Sequence, residues 1–242
     1  MKWFKTFFCF LVFVLIQISP SQWTLGRTAS DYQIWNLLYF QRSITGNFSG
    51  YFELQPRFGD NASEPDRLLI RPALVYHLNE RNSFWVGYLA MPVFQGNKGT
   101  EHRYWSQFLY QRKSANLEFS SRSRLELRDI PDVKDWAVRF RQMGRLAGPI
   151  SHDKTFYWAL WNEVLVNLNS TSGGPQAGYD QNRFFLGIGR KLRNAISVEL
   201  GYLMNHINIP ANTSDRINHA AFLMIGINNN HHRSTRKKRE TN

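Results

Sequence analysis

The chain has 242 residues and a formal net charge of +12; 43% of its residues are hydrophobic and 15% aromatic. That length bounds it to one or two domains, and a single cysteine, Cys9, leaves no disulfide framework. Outside the first residues no segment approaches the roughly 20 consecutive apolar residues of a spanning helix, so any membrane residence has to come from strands.

At the N-terminus, Lys2 and Lys5 precede an apolar run from Phe7 to Ile16, and Ser19 and Ser21 stand at the spacing a signal peptidase reads. Residues 1–21 are therefore expected to be a cleaved signal peptide, with the mature chain starting near Gln22. Cys9 lies mid-run, too early to be a lipoprotein acceptor, and leaves with the leader. An exported protein of this size without a disulfide is ordinary for a bacterial envelope. Four Asn-x-Ser/Thr sequons, at Asn47, Asn61, Asn169 and Asn212, are read as chance matches in loops.

Eleven segments of the body alternate with a period of two or read as strand. They are Asp31 to Ile44, Phe48 to Phe58, Arg67 to Leu78, Phe84 to Gln95, Glu101 to Arg112, Leu117 to Arg128, Trp136 to Gly148, Thr155 to Asn169, Gln181 to Leu192, Ala195 to Ile207 and Arg216 to Asn228. Most exceed the roughly 5 to 6 residues of a soluble strand and match the roughly 9 to 11 of a tilted membrane strand plus overhang. Pro56 and Pro72 interrupt two of them, because proline removes a ladder donor. Short connections such as Thr45 to Asn47 and Arg193 to Asn194 alternate with longer ones such as Asp129 to Asp135 and Ser170 to Asp180, the pattern of an outer-membrane barrel. Parity then asks for one more ascending strand, for which Gln22 to Ala29 is the only candidate. Twelve strands are expected, eleven being the literal count and ten the lower bound.

The charged residues of these segments fall on one phase. In chain order the row runs through Glu53, Gln55 and Arg57; Arg71; Glu101, Arg103 and Gln107; Glu118, Arg122, Arg124, Glu126 and Arg128; Arg139, Arg141 and Arg145; Glu163; Arg183; and Glu199. Leu54, Leu125, Leu127, Phe140, Val164, Leu186 and Leu200 occupy the opposite phase. The cations of the row are all arginine, although the chain also has nine lysines; those lie in the leader, in connections and strand ends, or in the tail. Arginine's planar fork suits confined pairing with carboxylates, so the charged face is read as enclosed. An apolar face turned outward on many strands needs lipid against it. The expected fold is all-β: a single antiparallel transmembrane β-barrel of about 12 strands over residues 22–228, with a polar lumen lined by Arg and Glu. A soluble secreted barrel or sandwich, with the alternation inverted, is the alternative. Tyr32, Tyr76, Tyr110, Trp136 and Phe156, near strand ends, fit interfacial girdles.

The tail from 229 to 242 carries Arg233, Arg236, Lys237, Lys238 and Arg239 against Glu240. No stacking or groove-reading motif accompanies it, so it is read as a disordered basic tail with no nucleic-acid partner.

Several stretches together resemble a known family. Glu101-x-Arg103-x-Trp105-x-Gln107, Arg122-x-Arg124-x-Glu126-x-Arg128, Arg139-x-Arg141, Asn162-Glu163, Asp180-Gln181-Asn182-Arg183 followed by Gly187-x-Gly189, and Glu199-x-Gly201-Tyr202 look like a widespread bacterial family labelled as a domain of unknown function and grouped with outer-membrane β-barrels. The resemblance covers about Asp31 to Asn228. It implies location and architecture and brings no reaction. One departure concerns the end of the chain: such barrels usually close on an aromatic residue, whereas this one runs through Ile227 into the basic tail.

Two functions follow as expectations. In the first, the ten arginines of the row against six glutamates make the barrel either a salt-bridged structural plug or a narrow anion-favouring passage for small solutes. In the second, it is a lipid-modifying enzyme with a site at the outer rim, where parity puts His102, His206 and His219 with Ser106, Ser214 and Asp215 nearby in sequence. No cofactor is expected. Nor is a metal, since His231 and His232 are adjacent in the tail without a third convergent ligand. The expected partners are outer-membrane lipid and small anionic solutes.

Overall fold

A computed structural model describes residues 29–96, 98–193, 195–209 and 215–229. Its elements are eleven strands: β1 (Ala29–Thr45), β2 (Phe48–Gly59), β3 (Glu64–His77), β4 (Asn82–Val93), β5 (Gly99–Lys113), β6 (Glu118–Asp129), β7 (Ala137–Pro149), β8 (Phe156–Asn167), β9 (Gly178–Arg193), β10 (Ile196–Ile207) and β11 (Arg216–Asn229). Each pairs with the next in antiparallel register, and β1 pairs with β11 in parallel from Ala29↔Arg216 to Arg42↔Asn229, closing the sheet into a barrel.

That closure corrects the expected strand number. An even count is required only if every neighbouring pair is antiparallel; one parallel seam lets an odd number close. Eleven strands therefore form the barrel without a twelfth, and the fold is antiparallel at every pair except the seam. Of Gln22 to Ala29, the stretch expected to supply the extra strand, Ala29 opens β1 and residues 22–28 lie outside the described residues, as do the expected leader and the tail beyond Asn229. Pro56 and Pro72 stay within β2 and β3, opposite Leu68 and Phe52.

Connections sort to two ends. The connections after β1, β3, β5, β7 and β9 fall at one end and those after β2, β4, β6, β8 and β10 at the other, where they are mostly longer. The first turn holds two residues, with Gly46 at a φ of 50° that favours glycine.

With a period of two and one closed sheet, each strand has an inner and an outer row. On β6 and β7, Glu126 (1% exposed) pairs in register with Arg139 (2%), while Leu125 (41%) faces Phe140 (36%) one step away. The same inversion holds around the barrel. Glu53, Arg71, Glu101, Arg103 and Arg183 are buried, and Phe52, Leu74, Tyr104, Leu186, Ile188 and Leu200 are exposed.

The interior is not uniformly polar, and here the structure departs from the expected Arg/Glu lining. Trp35, Tyr157, Phe185, Leu203 and Phe222 form one inner apolar cluster; Leu69, Val75, Trp85, Leu89, Met91 and Trp105 form another. Inner glycines make room for these rings. A Cβ on Gly87 would stand 2.3 Å from Trp105 Cζ2, and one on Gly189 would stand 2.2 Å from Tyr157 Cζ.

Candidate functional site

The buried charges assemble across strands into one central network and two further pairs. Glu126 is its centre. Its Oε2 accepts from Arg139 Nε and Nη2 at 3.0 and 2.6 Å, and its Oε1 accepts from Arg141 Nη1 at 2.7 Å. Arg141 then turns its Nε and Nη2 to Glu163, which also accepts from Arg122 Nη2 at 2.6 Å. Arg183 Nη1 lies 3.5 Å from the same carboxylate. On the neighbouring wall, Glu101 accepts from Arg103 Nε and Arg128 Nε, both at 2.7 Å. Glu53 pairs with Arg71 and accepts from Tyr51 Oη at 2.7 Å, and Glu199 accepts from Arg145 Nη2 at 2.6 Å.

This geometry answers a physical demand. Removing charges from water costs several kcal/mol per ion, which Coulomb attraction offsets only where hydrogen bonds also satisfy the remaining donors and acceptors. Arginine meets that condition because its fork can reach two carboxylates at once, as Arg141 does between Glu126 and Glu163.

Of the sixteen charged positions expected in the lumen, most are deeply buried, and Arg122 and Arg145 keep side-chain exposures of 23%. Glu118 stands apart. It opens β6 at the short-turn rim, with Lys113 and Lys191 at 3.3 and 3.4 Å and 34% of its side chain exposed.

Asp180, which alternation does not place on the charged row, accepts from Arg139 Nη1 at 3.0 Å. A register shift between Leu165 and Val166 resets the phase of β9 there, so plain alternation could not have placed it. With Asp180 included and Glu118 at the rim, ten arginines share six carboxylates.

The surplus falls on two residues. Arg57 Nη2 donates to Gln55 Oε1 at 2.8 Å and its Cζ lies 3.5 Å from the Trp35 ring centroid, while its Nε has no hydrogen-bond partner. Arg124 donates from Nε and Nη2 to Gln107 Oε1 and sits 4.2 Å from the Trp105 centroid; its Nη1 is unbonded, 3.7 Å from Glu126. Both guanidiniums rest on an indole face and donate to an amide; Arg57 has no carboxylate among its contacts, and Arg124 keeps only the longer approach to Glu126.

His102, His206 and His219 face outward near the long-loop end, on β5, β10 and β11. The imidazoles bond to Tyr88, Tyr179 and Tyr202 through Nδ1, the last two at 2.8 and 2.6 Å. His206 Nε2 also lies 3.0 Å from Asp215 Oδ2. Ser106 shares the outer face of β5 with His102, and Ser214 is outside the described residues.

These rings belong to a wider belt. Tyr32 contacts His219, and Tyr104 contacts Tyr88 and Trp136, with centroids 5.4 to 6.0 Å apart. A second set, Phe48 with Tyr76 and Tyr110 with Phe119, rings the short-turn end. Along β5, Tyr104 and Tyr110 are about 20 Å apart at strand rise.

Compared with known proteins, residues 32–218 match the family described as "Protein of unknown function (DUF2490)". The chain is 30% identical over 183 residues to an uncharacterised protein of Methylorubrum extorquens, covering 74% of this chain and 79% of the relative. No solved structure matches.

Proposed function

The chain belongs to the family of proteins of unknown function DUF2490, and from its geometry we propose that it is an exported bacterial outer-membrane barrel whose interior is held shut by its ion pairs. One observation carries this reading. The carboxylates of Glu126, Glu163 and Glu199 are among the most buried groups of the protein, whereas Leu125, Leu127, Phe140, Leu186 and Leu200 are exposed. In water that arrangement leaves a large apolar surface uncovered while it desolvates charge. Against hydrocarbon the outer face is favourable, and two aromatic belts suit the two interfaces. The partner of the outer wall is then outer-membrane lipid.

Membrane fractionation tests it. Detergent should be needed to release the protein, and migration in a denaturing gel should change on boiling. Release by high salt or alkaline carbonate alone contradicts the reading.

A second reading, a narrow anion-favouring passage, is favoured by Arg57 and Arg124. Arg57 has no carboxylate among its contacts and Arg124 has Glu126 only at 3.7 Å, and fixed positive charge held this loosely attracts anions into a confined path. In planar bilayers the shut barrel should be silent. Anion-selective steps that disappear in the double variant Arg57→Gln, Arg124→Gln would establish the passage instead.

A further inference from the structure

The outer wall is not apolar everywhere. At mid-height on four consecutive strands stand Ser121 and Ser123 of β6, Gln142 and Gly144 of β7, Asn162 of β8 and Asn182 of β9. They occupy two adjacent rungs. Ser121 faces Gly144, which faces Asn162; Ser123 faces Gln142, and Asn182 follows after Val164. Their chain neighbours Arg122, Arg124, Arg141, Glu163 and Arg183 point inward, so these side chains point out.

The patch partly satisfies itself. Ser123 Oγ donates to Gln142 Oε1 at 2.6 Å, and Gln142 Nε2 donates to Ser121 Oγ at 3.0 Å. Asn162 Nδ2 donates to Asn182 Oδ1 at 2.7 Å and to the Arg183 carbonyl at 3.1 Å. That leaves Asn162 Oδ1 as an unused acceptor and Asn182 Nδ2 as an unused donor among the described residues. Gly144 is exposed, and a Cβ built on it would meet nothing within 4 Å, so the patch has a shallow gap at its centre.

We propose that this patch is the contact face for a second copy of the chain. The proposal rests on the membrane reading above, because only against hydrocarbon does an unmet amide cost free energy that a partner recovers. A copy fits better than other occupants for three reasons. Amides both donate and accept, so the patch turned about a two-fold axis complements itself, the free Asn162 acceptor meeting the partner's Asn182 donor. The six residues carry no charge, so two copies do not repel. The gap at Gly144 allows the close approach that small residues give membrane interfaces. Leu125, Phe140 and Phe184 border the patch and supply apolar contact around it.

Cysteine cross-linking in intact membranes tests the proposal on the full chain, whose one cysteine, Cys9, lies in the expected leader. Single variants Ser123→Cys, Gln142→Cys and Asn162→Cys should give disulfide-linked dimers on oxidation, whereas Ile70→Cys, outward on β3, should not. Gln142→Leu with Asn162→Leu should keep the heat-modifiable barrel while weakening the dimer in mild detergent roughly three- to tenfold per lost amide contact. Three outcomes overturn the proposal. Detergent-dependent extraction with no cross-link at any patch position leaves the membrane reading standing and removes the dimer. Equal cross-linking at Ile70 shows random collision. Release without detergent removes the membrane reading itself, and the patch becomes ordinary wetted surface.

Discussion

Glu126 is the residue where the energetic argument is sharpest. With its side chain 1% exposed and bonded to Arg139 and Arg141, it cannot be neutralised without taking from each guanidinium one of the two carboxylates it holds. Glu126→Gln should therefore destabilise the barrel by about 3 to 5 kcal/mol in urea titrations. Glu118, paired with lysines at the wetted rim, offers the contrast: Glu118→Gln should cost no more than about 1 kcal/mol. Outside the barrel wall, the Asp153 carboxyl accepts from the Thr155 amide at 3.1 Å and from the Thr155 hydroxyl. Bonds from Ser151 and Thr155 hold its pKa down at about 2. A lowered folded pKa means the ionised turn is favoured. Its contribution is complete above the ordinary carboxylate range near 4 and is lost as pH falls through about 2. A proton-detected titration of the turn residues should show that low midpoint; a midpoint near 4 would remove the turn's role.

At the scale of strands, the period of two was legible and the closure was not. Arg139 and Arg141 against Val138 and Phe140 declare their two faces from sequence alone, because charge and hydrocarbon alternate there without interruption. Trp35, Trp105 and Phe185 do not. An aromatic ring suits the inside of a barrel or a lipid-facing wall equally, and only the strand's phase tells which, so the inner apolar clusters escaped notice. Asp180 escaped for a different reason, since a bulge in β9 shifts its phase. The parallel seam of β1 and β11 leaves no local signature, because pairing of chain ends is set by barrel closure rather than by either strand. The inner glycines carry a prediction at this scale. Gly87→Ala drives a methyl group into Trp105 and Gly189→Ala drives one into Tyr157, so each should destabilise by about 1 to 3 kcal/mol through overpacking. Gly144→Ala, which meets open space, should stay within about 1 kcal/mol as a monomer.

Over the whole molecule, many charged side chains are buried while a large set of apolar ones is exposed, and the position of every proposed contact depends on that. The ion pairs give the interior its order, the glycine-seated aromatics fill the space between them, and in the proposed reading the outer wall meets lipid except where the amide patch interrupts it. The most direct measurement attaches a fluorophore to single cysteines at Leu125, Phe140 and Leu200 on the outer row and at Met143 and Ala147 on the inner row, in vesicles with brominated acyl chains. The account predicts strong quenching by bromine at the three outer positions and little at the two inner ones. Outer labels that ignore brominated lipid and are quenched by aqueous iodide would contradict it.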